Sequence, residues 1–156
     1  MTAKAEFNAE EWAVVAGAPL LAAMMVIAAD RGGSVRESLA VGRAYAEARE
    51  QHEGELMSAL LATPPATTVK RPDSPADLRD QATGTLREAV AILERVGTED
   101  EVVEYKRFVF SIAESVARAH KEGGFLGVGG TQVSVAEQAA LDEIAAIFDE
   151  APPPPA

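Results

Sequence analysis

From Trp12 to Ala29 the chain reads WAVVAGAPLLAAMMVIAA, eighteen residues with no charge and a proline near the middle. A helix apolar on every side has two homes, the centre of a helical protein or the hydrocarbon of a membrane. Composition separates them here. Seven alanines, Gly17 and Pro19 supply little transfer energy, and no basic cluster flanks the segment to fix an orientation. Glu6, Glu10 and Glu11 stand where a signal peptide would carry cations. The segment is therefore expected to be the central helix of a cytoplasmic protein, with no membrane span. Pro19 should kink it, because proline removes one backbone donor and crowds the preceding turn.

The rest of the chain is punctuated as helices. Asn8 with Glu11 forms a capping box that opens a first helix running to about Asp30, where Gly32 and Gly33 stop it. Ser34 with Glu37 opens a second, carrying Val35, Leu39, Gly42 and Ala46 on one face as far as Gln51 or His52. Gly54 breaks or bends the chain before Leu56, Met57, Leu60 and Leu61. Residues 64–75 hold four prolines without periodicity and read as a surface linker. Ser74 caps the next helix, with Pro75 in its first turn and Leu78, Ala82, Leu86, Val90 and Leu93 at helical spacing up to Gly97. Thr98 with Glu101 opens a helix bearing Val102, Val109, Ile112, Val116 and Ala119. Ser134 with Glu137 opens the last, whose stripe is Leu141, Ile144, Ala145 and Phe148. No window alternates at period two. The expected fold is all-α, a five- or six-helix bundle built from two helical hairpins with an intervening long helix. One domain spans 1–150, and 151–156, APPPPA, is a polyproline tail outside it.

Composition narrows the function classes. The chain has 156 residues, enough for one domain with a core. It carries 25 acidic and 14 basic residues, a net charge of −11, so nucleic acid and anionic membranes would be repelled while cationic partners stay compatible. The absence of cysteine excludes disulfides, thiolate zinc sites and thiol catalysis.

Two turns echo each other: Asp30-Arg31-Gly32-Gly33-Ser34-Val35-Arg36-Glu37, and Glu122-Gly123-Gly124 followed after an insertion by Ser134-Val135-Ala136-Glu137. Common capping signals would produce the same echo. Through Ala29, Asp30, Gly32 and Glu37 the chain resembles the TerB-like tellurite-resistance proteins, which place an Ala-Asp-Gly turn and a following Glu between paired helices. The segment 122–148 also resembles the end of small uncharacterised bacterial helical proteins. The TerB resemblance implies an all-helical fold and a divalent metal held by acidic turn residues, here Asp30 and Glu37. The chain departs from that pattern in the Arg31 and extra glycine after Asp30, and in a second turn without aspartate.

The residues themselves leave a bland alternative beside each candidate. Asp30 and Glu37 offer two carboxylates, too few for an EF-hand, and Glu37 also fits a capping role. Glu47, Glu50, His52, Glu53 and Glu55 suggest carboxylate-bridged iron, but Arg49 and Ala117 stand three residues before the two histidines, so Glu-x-x-His is absent. An exposed acidic face is the expectation, with His120 a surface or capping residue. The loop 123–130 interleaves five glycines with Phe125, Leu126 and Val128. These three either plug one end of the bundle or form a partner contact. It lacks the Gly-Lys-Ser/Thr of a phosphate loop. Lys106, Arg107, Arg118 and Lys121 make a basic strip among glutamates, expected to be salt-bridged. No nucleophile arrangement is visible. The expected function is a binding or scaffolding module without catalysis or cofactor, meeting a protein partner or its own copy. A metal-binding stress-response protein of the TerB-like kind is the alternative.

Overall fold

The computed structural model describes residues 2–29, 35–63, 72–122 and 133–149, with backbone only at 35–38 and 120–122. Asp30, the loop residues Phe125, Leu126 and Val128, and the tail lie outside that set, as does the side chain of Glu37. Among the described residues a short turn of 3-10 helix, Lys4–Glu6, is followed by six α-helices: α1 (Ala9–Ala29), α2 (Val35–Gln51), α3 (Glu55–Ala62), α4 (Pro75–Val96), α5 (Glu99–Glu122) and α6 (Val135–Phe148). The described residues contain no strand. The protein is an all-α bundle, as its helical periodicity predicts.

The apolar segment is α1, and it lies at the centre. It packs most extensively against α4, then α5, and also meets α6 and α2. Val15, Ala18, Ala22, Ala23 and Val26 are wholly buried, and Leu21 nearly so. By length and composition α1 could cross a membrane, yet 56% of its most apolar window is covered by the protein. The alanines let α4 and α5 come close, and their own apolar rows then fill the space: Leu78, Ala82, Leu86, Ala89 and Leu93 from α4, and Val109, Ile112, Ala113 and Val116 from α5.

Each expected cap within the described residues forms. The Glu11 amide donates to Asn8 Oδ1 at 2.8 Å, and Glu11 Oε2 accepts from the Asn8 amide at 3.1 Å. Phe7, just before this cap, packs on Trp12 with ring centroids 5.5 Å apart, a hydrophobic staple that sets the entry angle of the chain. The same reciprocal bonds join Thr98 with Glu101 and Ser134 with Glu137. Ser74 accepts from the Asp77 amide to start α4. Gly97, which ends α4, has an ordinary φ of −91°. Space is what calls for glycine there, since a Cβ would stand 3.0 Å from the Leu93 carbonyl oxygen.

Pro19 sits inside α1, and the helix continues through it. Proline has no N–H, so the carbonyl four residues back, that of Val15, loses its helical donor. Tyr105 of α5 supplies the replacement: its hydroxyl donates to Val15 O at 2.7 Å in a fully buried position. The central helix is thus completed by a side chain from its neighbour. Burial holds the Tyr105 phenol well above the ordinary tyrosine range, so it remains a donor.

The face of α2 differs from expectation. Leu39 is 57% exposed, and Gly42 and Ala46 are exposed too. The core takes the opposite face, Val41, Tyr45 and Ala48. The reason is the partner: Tyr45 meets Phe108 of α5 edge-to-face at 5.3 Å, burying more area than the alanine and glycine of the other stripe could.

Candidate functional site

The outer face of α5 carries Val103, Lys106, Arg107, Phe110 and Glu114 at helical spacing, while the opposite face enters the core. The last turn of α6 lies alongside. Between them runs an open cleft of about 430 Å³, floored by Val103, Phe110, Ala145 and Phe148. Val103 is 45% exposed, and Phe110 and Phe148 are half-buried against the core. Lys106 Nζ donates to the Phe148 carbonyl at 3.0 Å, binding one of the acceptors left open at the end of α6. A cation there also favours the helix dipole. Glu114 is held by Arg118 one turn on. Arg107 is exposed and forms no ion pair among the described residues.

The basic strip is therefore not uniformly salt-bridged. Arg118 is paired, Lys106 caps a neighbouring helix, Arg107 is open to solvent, and the side chain of Lys121 lies outside the described residues. Sequence spacing could show the strip but not what α6 brings to it.

Two other grooves are less suited to hold a ligand. One, of about 640 Å³ between α1, α4 and α6, is lined mostly by alanines. Its charges satisfy each other, with Arg79 Nε donating to Glu143 Oε2 at 2.7 Å. The other, of about 530 Å³, lies between Leu39, Ala40 and Ala44 of α2 and Ser115 and Ala119 of α5. Arg43, Glu47 and Arg118 complete its lining.

The acidic run at the end of α2 divides. Glu47, Glu50, Glu53 and Glu55 are exposed, as a solvated face should be. His52 is not part of that face. It is half-buried, its Nδ1 is 2.5 Å from Glu104 Oε1, and its ring meets Phe108 edge-to-face. It ties the α2–α3 junction to α5, a partnership 52 residues apart that local spacing cannot reveal. The described residues hold no group of three metal-capable side chains. The TerB-like pair is not placed, because Asp30 and the Glu37 side chain fall outside them.

Buried titratable groups are structural in setting. Burial pushes the Tyr45 phenol up to about 12, against an opposing pull from Arg49, and its hydroxyl has no hydrogen-bond partner among the described residues. Glu101 is partly buried, which by itself would raise its carboxyl. Hydrogen bonds from the Thr2 amide and hydroxyl and from Thr98 outweigh that and hold it at about 2. Neither group lines the cleft.

Compared with known proteins, the chain matches no family model, no curated protein and no solved structure.

Proposed function

We propose that the protein is a soluble, cytoplasmic binding or scaffolding module without catalysis of its own, and that it meets a protein partner at the α5–α6 cleft. The supporting observation is the pairing of an accessible apolar floor, Val103 with Phe110 and Phe148, with Arg107, an exposed cation that forms no ion pair among the described residues. Protein contact surfaces combine an apolar centre with a polar rim and favour aromatic residues and arginine. The wholly buried groups are already used for packing α1 against α4 and α5, so this outer face is free for association.

Site-specific photo-crosslinking in cells tests the proposal. A photoreactive residue at Val103 should give discrete protein adducts, and one at Ala91, exposed on α4 away from the cleft, should not. Adducts of equal yield from both positions, or none from Val103, would refute it.

A further inference from the structure

We infer that the partner segment taken by the α5–α6 cleft is acidic and amphipathic, presenting a large apolar side chain flanked by carboxylates; this rests on the cleft being the contact surface. The cavity, about 430 Å³, has room for one or two large side chains over Val103, Phe110 and Phe148. Its charges choose what surrounds that anchor. Glu114 is neutralised by Arg118. Lys106 donates to the Phe148 carbonyl, and Arg107 stands unengaged among the described residues. Asp149 is the other carboxylate among the described residues lining the cleft.

With Arg118 set against Glu114, the described residues leave the cleft a small excess of positive charge on a chain whose net charge is −11. The whole-chain field would attract a basic partner, so the two effects compete. At physiological ionic strength the screening length is about 8 Å, and the contact itself then outweighs the distant charge. A basic segment would set its cations against Arg107. A carboxylate there gains a bidentate partner, the arrangement a guanidinium favours. A phosphate backbone fits less well, because two cations release few counterions and the remaining surface repels it.

Selection from a display library of random peptides against the intact protein tests this. Enriched peptides should combine net negative charge with Leu, Phe or Trp, and bind more weakly as salt is raised. Arg107→Glu should weaken them about tenfold or more, roughly 1.4 kcal/mol per tenfold. Arg43→Glu, the same charge change on exposed α2 surface, should leave them unchanged. Val103→Glu, at an exposed position that does not threaten folding, should abolish binding. Neutral or basic enriched peptides that depend on Val103 but not on Arg107 would overturn the acidic partner and leave the contact surface standing. Peptides indifferent to both substitutions, or no enrichment, would overturn the contact surface as well.

Discussion

Replacing Tyr105 with phenylalanine removes one oxygen from a fully buried ring and leaves its packing otherwise intact. The loss falls on Val15, whose carbonyl has no amide donor because residue 19 is proline. A buried acceptor left without its hydrogen bond costs about 1–3 kcal/mol, a large share of a domain's usual margin of about 5–15. The proline makes the claim specific. In a Pro19→Ala background the backbone regains an N–H at that position, which can bond Val15 in the ordinary helical way. Tyr105→Phe should then cost less than about 1 kcal/mol. Urea unfolding of the four proteins, followed by circular dichroism, measures the cycle, with unchanged slopes showing that the unfolded states are comparable. A coupling of about 1 kcal/mol or more is expected. Equal cost of Tyr105→Phe in both backgrounds, within about 0.5 kcal/mol, would refute the idea that the hydroxyl replaces the missing amide.

Further outcomes follow from the core, the ionisable groups and the turn. Leu21→Asp should unfold the protein, since an unpaired buried carboxylate costs several kcal/mol; a folded, monomeric variant would contradict the central place of α1. Burial raises Tyr45 from the ordinary 10.0 to about 12 and raises Tyr105 as well, so their contribution to stability is complete below pH 10 and declines as pH rises above it. Phenolate absorbance should accordingly appear only together with loss of helicity, and early ionisation of a folded protein would count against their burial. Glu101 is lowered from 4.5 to about 2, so its contribution is complete above 4.5 and declines as pH falls toward 2. Glu101→Gln should flatten stability over that interval, and an unaltered acid profile would mean the Thr2 and Thr98 bonds do not persist in solution. Calcium or manganese should leave the melting temperature unchanged; a rise of several degrees that Asp30→Asn abolishes would support the TerB-like metal reading instead.

What was legible in the sequence was local. Ser134-x-x-Glu137 and Thr98-x-x-Glu101 specify helix starts because both partners lie within one turn, and both form. The stripe Leu78–Leu93 of α4 was clear because large residues mark only one face. In α2 the alanines and Gly42 leave two faces of similar hydrophobicity, and contact with Phe108 settles the matter for Tyr45. The need for a donor at Val15 follows from Pro19, but which residue provides it depends on how α5 lies against α1. The candidate cleft was half visible for the same reason: Lys106, Arg107 and Phe110 sit on one helix, whereas Phe148 arrives from α6. Asp30, Glu37, Phe125, Leu126 and Val128 carry expectations that the described side chains do not reach.

The α5–α6 cleft lies on the outside of the bundle because α1 is its buried centre in water. Native-state hydrogen exchange measures it directly. The amides of Leu21, Ala22, Ala23 and Val26 should be among the slowest in the protein, exchanging only through global unfolding, with a protection free energy equal to that from urea. Exchange of these amides far faster than those at Leu86 and Ile112, in protein that keeps its α4 and α5 protection, would show a peripheral α1 and contradict the account.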